Sequence, residues 1–175
     1  LKIIDLTVEE KPTGEISLGA GVGTSGGTIG GGIKENNFMG KGIKLNTNVQ
    51  FSENVIKGMI IYEKPNFNYS NNTLFSSIRS TSNDNLDKYG YKTTDVGASV
   101  GTAFEQFENF YFAPNIDIAY EKLETTSLAS PTKKKQTGNY FDTSLNYTLD
   151  YDLRNKRYRA DEGFRNIFYQ ELPVI

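Results

Sequence analysis

Apolar and polar residues alternate along most of the chain with a period of two. The pattern is clearest in residues 14–23, where every second residue is apolar and the intervening positions carry a polar residue or glycine. The apolar positions are Ile16, Leu18, Ala20 and Val22, and the others are Glu15, Ser17, Gly19, Gly21 and Gly23. Because successive side chains of a strand point to opposite faces of the sheet, the pattern predicts a β-strand with one apolar face.

The alternation recurs often enough to predict about nine strands. The predicted strands are residues 14–23, 27–37, 43–52, 54–63, 72–80, 94–104, 110–121, 141–152 and 163–171. Most reach about ten residues, the length that a tilted strand needs to cross a bilayer, whereas strands of soluble domains average about five or six. We therefore predict an all-β fold, a transmembrane antiparallel β-barrel. A soluble two-sheet sandwich, which also shows alternation, is the alternative fold.

The alternation also assigns two faces to the strands. One face carries Asp, Glu, Asn and Lys, which a water-filled lumen accepts and a dry core does not. The opposite face is predicted to contact lipid through Val49, Phe51, Val96, Val100, Ile116, Ile118, Leu145, Tyr147 and Leu149. Asn146, which lies between two of these residues in the sequence, is expected to face water.

The composition supports the barrel and narrows the chemistry. Hydrophobic residues make up only 37% of the chain, yet it contains 11 Tyr and 11 Phe, which disordered chains lack and membrane barrels concentrate near strand ends. There is no Cys and no His, so zinc sites and His-based catalytic sites in their usual forms are excluded. We expect no enzymatic activity, no metal and no cofactor. The net charge of −2 offers no basic field that would attract nucleic acid.

Residues 14–42 contain 11 of the 17 glycines, and Gly21, Gly23 and Gly26 match the pattern G-x-G-x-x-G. A phosphate site of that type requires a helix directly after the motif. The sequence that follows, TIGGGIKENN, is a poor helix start, so we interpret the segment as a glycine-rich hairpin. Two reasons for the glycines stay open: a strand edge that opens easily because it has few cross-strand contacts, or relief of crowding where a barrel curves sharply.

Five segments, taken in order, resemble the BamA family of outer-membrane assembly proteins. They are VEEKPTG at 8–14, GxGxGT at 19–24, ENNFMGKG at 35–42, YEKPNF at 62–67 and DLRNKRYRADEGFR at 152–165. The order and spacing agree over nearly all of the chain. The last segment departs from the family pattern, because Arg159 and Ala160 stand where the family commonly has Pro and Thr.

The resemblance implies a domain organisation. Residues 1–12 would be the end of a POTRA domain and a linker, and residues 13–175 would be the N-terminal half of an outer-membrane β-barrel, about nine strands of a larger barrel. The chain does not begin with Met and ends in ELPVI without a turn signal, so a fragment of a longer protein is expected.

The resemblance also implies a function. Such a protein folds and inserts other β-barrel proteins into the bacterial outer membrane through a lateral gate at its first strand, here Glu15, Ile16, Ser17, Leu18, Gly19, Ala20, Gly21, Val22 and Gly23. Its partners would be unfolded barrel clients, the lipid bilayer and, through POTRA domains outside this chain, lipoproteins of the assembly complex. The alternatives are a two-partner secretion translocator of the same superfamily and a passive porin-like barrel.

Overall fold

The computed structural model describes residues 9, 11–23 and 26–174, and these residues form one antiparallel sheet of nine strands. The strands follow one another in sequence order, so each interior strand pairs with the one before it and the one after it. They are β1 (Gly14–Gly23), β2 (Gly26–Phe38), β3 (Ile43–Ser52), β4 (Val55–Lys64), β5 (Thr73–Asn85), β6 (Tyr91–Phe107), β7 (Phe110–Thr125), β8 (Gly138–Asp152) and β9 (Arg165–Pro173). The predicted all-β antiparallel fold with about nine strands is confirmed.

The strand bounds agree best where the alternation is clean. The bounds of β1 and β3 coincide with the predicted ranges. The fifth strand was predicted to end at residue 80, which is wrong, because β5 continues through a polar run to Asn85, which pairs with Tyr91 of β6. This extension satisfies its backbone by pairing with β6 and carries no apolar face, so hydrophobic alternation could not reveal it.

The connections lie at two ends of the sheet. The end that carries Gly14, called the Gly14 end, also carries the connections 39–42, 65–72, 108–109 and 153–164. The opposite end, called the Gly23 end, carries the connections 53–54, 86–90 and 126–137. A 3-10 turn (Phe67–Tyr69) and two short helices, α1 (Leu86–Tyr89) and α2 (Pro131–Lys135), lie in these connections. None of the helices in the described ranges has the length and apolar character to span a membrane.

On this sheet, polar residues are buried and apolar residues are exposed, which is the reverse of the usual arrangement in a soluble protein. On β8, the polar residues Ser144 and Asn146 are buried, with exposed fractions of 9% and 6%, whereas Leu145 between them is 43% exposed. The expectation that Asn146 faces water is therefore wrong. Its amide packs against Asn115 of the neighbouring strand and against Ser144, which closes the space around it.

Part of the predicted domain organisation lies outside the described residues. Residues 1–8 and 10, which carry most of the predicted end of a POTRA domain, are among those that the structure does not describe. Residue 9 and residues 11–13 precede β1 without regular secondary structure. The domain boundary near residue 13 stays a prediction.

Candidate functional site

The first strand is an edge of the sheet. All ten residues of β1 pair with β2, and no other strand of the described residues lies beside it. Its apolar side chains are among the most exposed of the chain, with exposed fractions of 87% for Leu18 and 92% for Val22. The backbone groups on the outer edge of β1 are consequently available to another strand.

Glycine dominates the pairing between β1 and β2. A side chain stands on both sides in only three of the pairs, Glu15–Lys34, Ile16–Ile33 and Ala20–Ile29. In every other pair at least one partner is glycine, so there is no cross-strand side-chain contact at that position. Backbone hydrogen bonds therefore hold β1 to its neighbour with little help from side chains.

The glycines of β1 and β2 differ in their surroundings. A Cβ atom added to Gly19, Gly21 or Gly23 of β1 would have no heavy atom within 4 Å among the described residues. A Cβ on Gly31 of β2 would lie 2.8 Å from the Leu18 side chain, and one on Gly32 would lie 3.0 Å from a backbone oxygen of β3. Crowding thus explains Gly31 and Gly32 of β2, but nothing in the described part of the chain crowds Gly19, Gly21 or Gly23 of β1.

The polar face of the sheet contains an ion-pair cluster that spans three strands. Arg79 of β5 lies opposite Gly97 of β6 and reaches across it to Asp117 of β7. Its Nη1 and Nη2 atoms donate to the two carboxylate oxygens of Asp117 at 2.6 and 2.8 Å, and its Nε donates to Asp95 of β6 at 3.3 Å. The paired, two-point geometry is the strongest form of this interaction, and all three side chains are partly shielded from solvent.

Gly97 makes this cluster possible. A Cβ atom at residue 97 would lie 2.5 Å from the guanidinium carbon of Arg79, so any other residue would displace the Arg79 side chain. Gly101, four residues along β6, provides the same kind of space for the ring of Phe75. The glycines of β6 are therefore places where a large side chain from β5 crosses the strand.

Further polar contacts on this face link β5 to β6 and β7 to β8. The hydroxyls of Ser77 and Ser99 are 2.7 Å apart, and the Asn146 amide nitrogen donates to Asn115 at 3.2 Å and to Ser144 at 3.1 Å. The Ser77–Ser99 and Asn146–Asn115 contacts join neighbouring strands through side-chain hydrogen bonds, whereas the described side chains of β1 make no hydrogen bond to a side chain of β2. Together with the ion-pair cluster, these contacts connect the strands of the polar face by non-covalent side-chain contacts in the part of the sheet far from β1.

Sequence reasoning did not find Arg79. The alternation at 94–104 and 110–121 places Asp95, Gly97 and Asp117 on polar faces, but that of the fifth strand is blurred by serine on the apolar side, and Arg79 lies in that strand. The available signal was a single arginine inside a predicted membrane-spanning strand, with aspartates inside two later predicted strands. A charge at that depth requires a partner.

The residues predicted to face lipid share one face of the sheet. The strand register pairs Val100 with Ile116 and Ile116 with Leu145, and it aligns the remaining six with the same face. The remaining six are Val49, Phe51, Val96, Ile118, Tyr147 and Leu149, and this surface is called the apolar face. Seven of the nine are exposed, while Tyr147 and Leu149 are half-buried. Their contact with lipid stays a prediction.

The connection between β8 and β9 forms an ordered hairpin loop. The Leu153 nitrogen donates to the Phe164 carbonyl at 2.9 Å, and the Asn155 nitrogen donates to the Glu162 carbonyl at 3.2 Å. Hydrogen bonds from Asn155 and Lys156 hold the pKa of Asp161 below its usual range. Arg159 has a φ angle of +50°, which the ring of proline forbids, so the departure from the family pattern at this position matches the backbone.

Comparisons with known proteins agree with this architecture. The family model described as the Omp85 superfamily domain matches residues 37–174. A crystal structure of BamA from Haemophilus ducreyi lacking POTRA domains 1–3 superimposes with a TM-score of 0.71 at 23% sequence identity. The match covers 95% of this chain and 35% of that chain, so the chain spans about a third of the length of the BamA structure. No match was found among curated proteins.

Proposed function

The chain belongs to the Omp85 superfamily, and from this premise we propose that it is the N-terminal half of a bacterial outer-membrane barrel that folds and inserts other β-barrel proteins. The expected resemblance to BamA-family barrels is confirmed at the level of the superfamily and of the fold. The proposal assigns no enzymatic step to the chain. Its partners are the bilayer, unfolded barrel clients and lipoproteins bound by POTRA domains outside this chain.

The main support for the proposal is that β1 is an edge strand whose pairing with β2 is rich in glycine. No strand of the described residues lies along its outer edge, and an incoming strand of a client can pair with the backbone donors and acceptors of such a bilayer-length edge. In hydrocarbon an unpaired backbone group costs several kcal/mol, so this edge must pair with the closing strand of the barrel when no client is present. A gate needs β1 to be held weakly, and the glycines of the β1–β2 hairpin supply that weakness.

A cross-linking experiment on the full-length protein tests the proposal. Ser17→Cys, paired with a cysteine on the closing strand, locks the seam in an otherwise cysteine-free background. The locked barrel is reconstituted in vesicles, and the folding of an unfolded barrel client is followed by its heat-modifiable gel mobility. We expect the locked protein to stay folded and to lose client insertion, with recovery after reduction.

The chain offers a matched control for this lock. Glu15→Cys with Lys34→Cys joins β1 to β2, which are already paired, and leaves the seam free. The control should insert clients at the unlocked rate. Normal insertion by the seam-locked protein would contradict the gate. Passage of a polypeptide through either barrel without insertion would instead identify a secretion translocator, and free diffusion of small solutes alone would identify a porin-like barrel.

A further inference from the structure

The Gly14 end of the apolar face carries a groove that neither the β1 seam nor the ion-pair cluster uses. The connection between β2 and β3 and the connection between β4 and β5 form its walls, and its volume is about 550 Å³. The groove is lined by Lys41, Gly42, Lys64, Pro65, Phe67 and Tyr69, together with two asparagines. Its lining combines two cations with two aromatic rings.

The groove lies where the apolar face ends. Ile60, Tyr62 and Lys64 follow one another on this face of β4, as their pairing with Thr47, Leu45 and Leu74 shows. The side chains change along this line from aliphatic to aromatic to cationic within a few residues. This order matches the passage from hydrocarbon to headgroups, in which a lysine extends its ammonium out of the apolar layer.

The two lysines of the groove carry uncompensated charge. Among the described residues, no carboxylate lies within ion-pair distance of Lys41 or Lys64, and the Lys64 ammonium lies 5.6 Å from the centre of the Phe67 ring. Lys44, at the same end of the sheet but on the polar face, is bound to Glu63 at 2.7 Å. The groove therefore presents positive charge that the protein neutralises elsewhere at this end.

Tyr69 is held in an unusual position beside these lysines. Its φ angle is +59°, a left-handed conformation that is rare for a bulky residue and costs about 1–3 kcal/mol. Hydrogen bonds within the connection hold it there, from the Tyr69 nitrogen to the Asn66 carbonyl and from the Phe67 nitrogen to the Asn72 carbonyl. The side chain is fully exposed, so no contact within the described chain offsets the strain.

We propose that this groove binds the phosphate headgroup of an anionic phospholipid in the membrane leaflet that meets the Gly14 end. The ammonium groups of Lys41 and Lys64 bind the phosphate, and Tyr69 and Phe67 pack at the boundary between headgroup and acyl chain, where amphipathic rings are stable. The neighbouring apolar face at Ile60 accommodates the acyl chain. The site depends on the barrel lying in a bilayer and is independent of client insertion.

Lipid retention by the full-length protein tests this site. The protein is extracted from nanodiscs that contain phosphatidylcholine and phosphatidylglycerol, and native mass spectrometry counts the phosphatidylglycerol that stays bound. We expect one tightly retained anionic lipid that Lys41→Gln with Lys64→Gln releases, with an affinity roughly fivefold lower for each lysine removed. The matched control, Lys88→Gln with Lys135→Gln, removes the same charge from exposed positions at the Gly23 end and should keep the lipid.

A second variant separates lipid binding from folding. Tyr69→Gly removes the ring and relieves the positive φ angle, so retention should fall while stability against denaturant is unchanged or rises. Equal retention by both lysine pairs would overturn the proposal. Displacement of the bound lipid by millimolar inorganic phosphate would also overturn it, because the site would then be selective for the ion and not for the phospholipid.

Discussion

Glycine has opposite effects in the β1–β2 hairpin and in the block from β5 to β8. In the β1–β2 hairpin, Gly19 and Gly21 lie on the polar face with open space above them, and the hairpin is held by its backbone. In the block from β5 to β8, Gly97 lies on the same face, and its space is filled by the Arg79 side chain that reaches Asp117. Glycine therefore weakens the pairing of β1 with β2, but in the other region it allows an ion pair between β5 and β7. The proposed gate requires a seam that opens beside a body that does not open, and this difference between the two regions is what the proposal predicts.

The largest expected effect tests the assignment of the faces on which the comparison depends. Leu145→Arg and Val49→Arg should each lower folding stability in lipid by roughly 2–4 kcal/mol if the position is near the bilayer centre, because a cation enters hydrocarbon. Asn48→Arg is the matched control, since Asn48 is exposed on the polar face next to Val49. Folding yields of the full-length protein in vesicles measure all three. An equal loss for Asn48→Arg and Val49→Arg would mean that the faces are assigned wrongly.

The second prediction compares the regions directly by hydrogen exchange. Amides of β1 should exchange about a hundredfold faster than those of β8, because local opening of a weakly held edge costs less than opening of a strand inside the sheet. Both are long strands, so depth in the membrane alone does not separate them. Exchange followed by mass spectrometry on the barrel in nanodiscs gives the ratio. Equal protection of β1 and β8 would remove the physical basis of the gate.

The third prediction concerns the rigid block. Gly97→Val should lower stability by about 2 kcal/mol, because the new side chain displaces Arg79 and leaves the Asp117 carboxylate without its charged hydrogen bonds. Denaturant unfolding in lipid measures the loss. In an Arg79→Gln background the same substitution should cost little, since the contact is already gone. Additive losses would show that Gly97 does not act through Arg79.

The smallest expected effect is at the seam. Gly21→Val should stabilise β1 by about 0.5–1 kcal/mol, because the strand loses less backbone entropy on folding and gains a contact with Thr28. Slower exchange of the β1 amides and slower client insertion should accompany the gain. Gly97→Val is the same substitution on the same polar face, so the two variants differ in whether a neighbouring side chain fills the space. A loss of stability at Gly21 would mean that the glycines relieve crowding from a closing strand.

Much of the fold could be predicted because alternation records which face of a strand meets an apolar environment. The bounds of β1 and β3 followed from that pattern, and so did the common face of Val100, Ile116 and Leu145. The prediction failed where pairing continues without an apolar face, at the end of β5, and where a polar face is crowded, at Asn146. Alternation reports the side on which a residue lies and carries no information on what fills the space beside it.

The sequence by itself determined the class of the molecule: period-two alternation over bilayer-length segments, a glycine-rich first hairpin and a polar composition that suits a water-filled lumen. Only the tertiary structure decided which glycines are open and which are occupied, because that depends on side chains from strands that are distant in the chain. It also brought Arg79 to Asp117 across β6, and it placed Lys41, from the connection between β2 and β3, in one groove with Lys64, the last residue of β4. Contacts of this kind depend on the register between strands, which pairing between distant segments establishes and no local pattern of residues contains.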